Sequence, residues 1–238
     1  MFEFVNGSKM FAQSGMTGAT GNLYVGLHEF AEMAFLMHFM RPDDLFVDVG
    51  ANVGSYTVLA SAAIGAHVIA FEPGDEAFVW LIRNLNLNEV SDRVDARREA
   101  VGARMGVVSF TSGLDTVNHI DTDGTVSVSI TTLDISCNRV PALIKIDVEG
   151  SEADVLRGAS NILANPEAQA VLVELNDEAA TRLLEDFGFA CCDYHPFERS
   201  LTPRSDCLSG NGIFIKNIEQ VSLQLRSAPA FSVQGRTI

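Results

Sequence analysis

Positive charge is what this sequence has least of. Lysine and arginine number 16 against 31 aspartates and glutamates, for a formal net charge of −15. A field of that sign repels phosphate backbones and disfavours a nucleic-acid partner. The one arginine cluster, Arg93, Arg97, Arg98 and Arg104, is interrupted by Asp95 and Glu99 and reads as a solvated face. No apolar run is long enough to span a bilayer. Phe30–Met40 is too short and contains Glu32 and His38, so no membrane partner is expected. The opening residues lack the basic stretch and apolar run of a secretory signal. The four cysteines, Cys137, Cys191, Cys192 and Cys207, show no C-x-x-C spacing. A chain that is 47% apolar has no need of disulfide staples, and a reducing compartment fits best. These absences together read as a soluble cytoplasmic protein.

What is present is an alternation of strand and helix signals over a length that suits one sizeable core. Residues 1–26 are rich in glycine and read as irregular. Apolar residues at helical spacing follow over 27–40, stopped by Arg41-Pro42-Asp43. Strands are expected at Leu45–Val49, His67–Phe71, Val94–Arg98, Leu143–Val148, Ala170–Leu175, Cys191–His195 and Gly212–Lys216. Helices are expected at Gly54–Ala63, Asp75–Leu87, Ser151–Leu163 and Glu178–Phe187. Two further β segments, Val107–Phe110 and Val126–Leu133, flank a polar loop at 111–125. This pattern predicts an α/β fold with a mostly parallel sheet covered by helices on both faces. Three regions follow: an N-terminal arm and helix (1–40, a lid or a self-association segment), an α/β domain (41–217) and a C-terminal tail (218–238).

In such sheets ligands bind beyond the carboxyl ends of the strands. There the expected strands place Asp48, Glu72, Asp147, Glu149 and Glu174. Gathering like charges costs free energy unless something positive compensates. The cationic sulfonium and amino groups of S-adenosylmethionine would do so, and the anionic pyrophosphate of a dinucleotide would not. Between the first strand and helix lies Gly50-Ala51-Asn52-Val53-Gly54, a G-x-x-x-G spacing distinct from the G-x-G-x-x-G of dinucleotide binders. Glu72 lies at the end of the second strand, where an acid can accept hydrogen bonds from both ribose hydroxyls. Asp147 and Glu149 also precede a helix, a position that favours acids for electrostatic reasons alone.

Four stretches resemble the FkbM family of methyltransferases: VDVGANVGSYT at 47–57, FEP at 71–73, TTLD at 131–134 and IKIDVEGSEADVLRGA at 144–159. The resemblance covers about 45–217. It implies the class I methyltransferase (Rossmann-like) fold, seven-stranded with its last strand antiparallel. Family members methylate hydroxyl groups on natural products, sugars or lipids, so a small-molecule or glycan hydroxyl acceptor is implied. The resemblance makes Asp48, Gly50, Asn52 and Gly54 cofactor-binding, with Ala51 between them, and Glu72 the ribose ligand. It places Glu99 and Ala100 at the adenine pocket and Asp147 beside the methionine portion of the cofactor. Lys145 and Glu149 match its IKIDVEG pattern, whereas Ser151 departs from the residue, sometimes histidine, often found there.

Methyl transfer to a hydroxyl needs alignment and a proton acceptor. The candidates are Asp147, Glu149 and His119, with Asn118, His119 and Glu174 on the substrate side. Asp147, Glu149 and Glu174 also suit a divalent metal, which nothing in their spacing requires. Two rivals stand beside an active methyltransferase: a non-catalytic S-adenosylmethionine-binding subunit and a dinucleotide-dependent oxidoreductase.

Overall fold

The computed structural model describes residues 1–13, 17–110, 126–176, 178–205, 207 and 209–238. Eight strands form one sheet: β1 Leu45–Val49, β2 His67–Phe71, β3 Val94–Arg97, β4 Leu143–Ile146, β5 Ala170–Leu175, β6 Ala190–His195, β7 Ser200–Pro203 and β8 Gly210–Ile215. Their spatial order is β7-β6-β8-β5-β4-β1-β2-β3. β1 to β5 pair in parallel, and β8 runs antiparallel between β5 and β6. The mostly parallel α/β sheet is the expected one, with one strand more than the seven predicted. The extra strand, β7, returns antiparallel along β6. Its four residues, SLTP, carry little apolar alternation and end in a proline that only an edge tolerates.

The helices are α1 Thr17–Val25, α2 Phe30–Phe39, α3 Ser55–Val58 (continuing into a π-helical turn at Leu59–Ile64), α4 Asp75–Leu87, α5 Leu133–Ser136, α6 Glu152–Arg157, α7 Ser160–Ala164, α8 Glu178–Asp186 and α9 Ile218–Arg226. They divide the core into two apolar layers. One is built from α2, α3, α4 and α9, with Phe35, Tyr56, Leu81 and Leu225 among its buried members. The other comes from α6, α7 and α8. Strand residues alternate between the layers, as a period of two demands. Leu45, Val47 and Val49 join the second layer and Phe46 the first.

Several expectations give way. The glycine-rich start contains α1 and a small hairpin of Phe2–Glu3 with Lys9–Met10. The helix expected over 151–163 divides into α6 and α7 around Gly158. The segment 218–238 folds as α9 and a terminal hairpin, burying Val221, Leu225, Phe231, Val233 and Ile238. Cys191 and Cys207 form a disulfide, Cα atoms 6.3 Å apart, where free thiols were expected; their separation of 16 residues matches no recognisable motif. Among the described residues, no helix is long and apolar enough to cross a membrane.

The order β4-β1-β2 places the crevice between the diverging β1 and β4 connections. Fully buried Asn84 of α4 braces it. Its Nδ2 donates to the Val53 carbonyl (2.8 Å) and its Oδ1 accepts from the Phe11 amide (2.8 Å). Asn84→Leu would leave both backbone groups unsatisfied at similar side-chain volume. Urea unfolding should show a loss of about 2–3 kcal/mol. An unchanged midpoint would mean that neither bond supports the loop.

Candidate active site

The β1–α3 connection is shaped by contact between backbones. Gly50 has φ +79°, and a Cβ there would stand 1.8 Å from the carbonyl oxygen of Asp147. Only glycine meets both conditions. The amides of Gly50 and Ala51 both donate to the Phe71 carbonyl, at 3.0 and 2.9 Å. The loop is thereby laid across the ends of β2 and β4. Asn52 follows at φ +51°, a left-handed conformation asparagine tolerates. Its amide donates to Glu72 Oε2 (2.8 Å), while the Gly74 amide donates to Glu72 Oε1 (2.7 Å). Each carboxylate oxygen keeps a further lone pair for a ligand. Burial pushes the Glu72 carboxyl up to about 7, against the pull of these two amides.

Beyond the loop opens a cleft of about 270 Å³. Gly50, Ala51, Asn52 and Glu72 form one end, with Glu99, Ala100 and Val101 beside it. Lys145, Asp147, Glu149 and Glu174 form the other end, and His28, Glu29 and Met33 close a wall from the N-terminal segment. That segment is latched to the loop. Asn22 Nδ2 donates to Ser55 Oγ (3.0 Å), and the Tyr56 hydroxyl donates to Glu29 Oε2 (2.6 Å). Across the sheet, Asn211 Nδ2 donates to Glu29 Oε1 (3.2 Å).

The charges are arranged around one buried ammonium. The parallel register pairs Asp48 with Lys145 on adjacent strands. With Phe46, Leu143 and Leu172 in the first apolar layer, alternation turns Asp48, Lys145 and Glu174 to that same face. Lys145 Nζ donates to Asp147 Oδ2 (2.7 Å) and lies 4.8 Å from the centre of the Tyr56 ring. Burial alone would lower the Lys145 pKa, but Asp147, Asp48 and Glu29 outweigh it and raise it. Burial would likewise raise Asp147, whose carboxyl the lysine instead holds low. Glu174, hydrogen-bonded to Asp147, is pushed up to about 7 by burial and by that neighbouring carboxylate.

Of the residues singled out in the sequence, the structure gathers Gly50, Ala51, Asn52, Glu72, Glu99, Ala100, Asp147, Glu149 and Glu174 around the cleft. Asp48 and Gly54 do not line it. Asp48 lies beneath, fully buried, where its Oδ2 accepts from the Thr57 hydroxyl (2.6 Å) and burial raises its pKa. Its other oxygen meets no donor among the described residues. Gly54 precedes α3 at φ +91°, pressed against Leu81. Asn118 and His119 lie outside the described residues. Lys145, Tyr56 and Glu29 take a larger part than the sequence alone indicated. The lysine's signal was a charged residue inside the apolar run LIKI. Asp147, Glu149 and Glu174 each offer an oxygen within 4.8 Å of the others, a set that could hold a hard cation, although Lys145 competes for Asp147 Oδ2.

Removing the ammonium should leave Asp48 and Asp147 without a counter-charge. For Lys145→Met, a loss of about 2 kcal/mol in urea unfolding at neutral pH is expected. This lies below the range for fully buried pairs, since the Asp147 side chain is 34% exposed. A variant as stable as the parent would show that the pair carries no structural weight.

Comparison with known proteins agrees with this architecture. Residues 48–191 match the model of the methyltransferase FkbM domain family. The hexuronic acid methyltransferase AglP of Haloferax volcanii is 30% identical over 152 residues, covering 59% of each chain. The 31-O-demethyl-FK506 methyltransferase FkbM of Streptomyces tacrolimicus is 28% identical over 188 residues, covering 62% of this chain and 72% of that one. The crystal structure of the methyltransferase FkbM from Methylobacillus flagellatus shares the fold. It has a TM-score of 0.52 at 18% identity, over 74% of this chain and 44% of that one. This chain thus spans little more than half of the Haloferax protein and less than half of the Methylobacillus one. With the family model covering well over half of its length, glycine loop and acidic cleft included, the chain belongs to the FkbM methyltransferase family.

Proposed function

We propose that the protein transfers a methyl group from S-adenosylmethionine to a hydroxyl of a small molecule or glycan that carries no acidic group. The carrying observation is the cleft's charge. Glu29, Glu72, Glu99, Asp147, Glu149 and Glu174 line it, with Lys145 as the one lysine or arginine among them. The residues outside the described set contain no lysine or arginine at all. The single ammonium is already held by Asp147, so an anionic acceptor would find no partner.

The cofactor supplies a methyl group made electrophilic by its sulfonium. Gly50, Ala51 and Asn52 would let its backbone-sized portion approach closely, and Glu72 would take the ribose hydroxyls on its remaining lone pairs. Glu99 and Ala100 would flank the base. Asp147 and Glu149 would face the positive portion, where a dinucleotide pyrophosphate would be repelled. The acceptor hydroxyl needs somewhere to lose its proton. Glu174, poised near neutrality beside Asp147, is suited to receive it, with Glu149 alongside. The wall of His28, Glu29 and Met33 would exclude water from the reacting atoms and hold the acceptor for in-line attack. Relatives named for hexuronic acid and for 31-O-demethyl-FK506 support an oxygen acceptor. The acidic lining of this cleft argues against a uronate acceptor here.

Two measurements test this reading. With labelled methyl donor, a methyl glycoside and its amino-sugar analogue should be methylated at least about tenfold more efficiently than the matching uronate. Preference for the uronate would refute the charge argument. In the second, titration calorimetry with S-adenosylhomocysteine should follow the ionisation of Glu72. Its folded pKa is about 7, and ribose hydroxyls donate to the ionised form. Binding should therefore release a proton below neutrality. Affinity should fall as pH drops below 7, by up to about tenfold per unit. Glu72→Gln should flatten this dependence and weaken binding. An unchanged pH profile in the variant would remove Glu72 from the cofactor site.

A further inference from the structure

The loops after β4 and β5 carry the acidic end of the cleft, and one buried oxygen ties them together. It belongs to Glu152, in the first turn of α6, which is 2% exposed and does not itself line the cleft. Glu152 Oε1 accepts from the Gly150 amide (2.8 Å) and from Asn176 Nδ2 (3.0 Å). Gly150 follows Glu149, and both are left-handed, at φ +97° and +52°. A non-glycine residue holds that conformation only where its surroundings impose it. Asn176 lies two residues beyond Glu174. The same oxygen therefore pins the turn that presents Glu149 and the strand exit that presents Glu174.

We propose that Glu152 is a positioning residue that sets the separation of Glu149 and Glu174 across the acidic end of the cleft, where the cofactor's positive portion and the acceptor would meet. This rests on the methyl-transfer reading for its functional meaning, though the strap itself is a property of the fold. A simpler role would be that of an acid favoured at a helix start by its charge. The two roles part at glutamine. Both bonds land on one oxygen, and a glutamine carbonyl can accept both, whereas a charge effect is lost with the charge.

The test begins with S-adenosylhomocysteine titrations of the full chain. Glu152→Gln should bind within about twofold of the parent. Glu152→Leu, which keeps the volume but leaves the Gly150 amide without its acceptor, should bind at least about tenfold more weakly. Equal binding by the leucine variant overturns the proposal, as does a glutamine variant as impaired as the leucine one. Amide hydrogen exchange supplies an arm that does not depend on the leucine variant folding. Asn176→Ala cuts only the β5 end of the strap, and it should speed exchange at the Gly150 amide severalfold, while Glu152→Gln leaves that amide protected. Gly150 exchange indifferent to Asn176 would show two independent bonds and no strap. If the parent itself fails to bind S-adenosylhomocysteine, the cofactor reading falls, and the exchange arm still decides the coupling.

Discussion

One ammonium group holds the acidic edge of this protein together. Lys145 enters from β4 into a setting where water is scarce and carboxylates crowd from β1, β5 and the N-terminal segment. Its contact with Asp147 keeps that acid ionised, and its proximity to Asp48 offsets a charge with no room for solvent. A buried ion pair is weak support for stability by itself, because desolvation cancels much of the attraction. Here its value lies in what it makes tolerable. With one cation fixed inside, the cleft can remain strongly negative and still fold. The residual negative charge is then available to a positively charged ligand.

The consequences reach outward in layers. Asp147 lends its carbonyl to the close approach of Gly50, so the glycine loop and the β4 loop cannot separate without breaking packing. Glu72 receives the loop's own amide, which makes the loop a reader of that acid's charge state. The N-terminal segment reaches the same network through Glu29 and Tyr56. The site is a continuous set of contacts in which groups at the two ends of the cleft share partners.

Much of this was legible before any coordinates. β1, β2, β5 and α4 lie where the sequence places them, because each is a compact apolar or amphipathic run punctuated by glycine, proline or polar turns. The glycine loop and Glu72 were readable from spacing and strand context. What escaped notice was held by tertiary contact. α1, TGATGNLYV, has two glycines and no clean apolar stripe; Asn22 anchors it instead. α9 did carry a signal: Asn217 caps it by accepting from the Gln220 amide, and Val221 and Leu225 stand one turn apart. Asp48 was expected at the rim and lies underneath, since strand alternation turns it towards Thr57 and Lys145. Nothing in the sequence marks Glu152, whose part depends on Asn176 reaching it from the neighbouring strand's exit.

The N-terminal wall of the cleft lies outside the stretch matched to the family, whereas its floor lies within it. His28, Glu29 and Met33 precede the stretch shared with the family, and Asn211, which steadies Glu29, follows it. The shared stretch supplies a cradle under tight steric constraint, where a single added methyl at Gly50 would collide with backbone. The flanking wall is held instead by side-chain hydrogen bonds to Glu29. A change of side chain in that wall can therefore reshape the opening while leaving the backbone contact of Gly50 with Asp147 as it is.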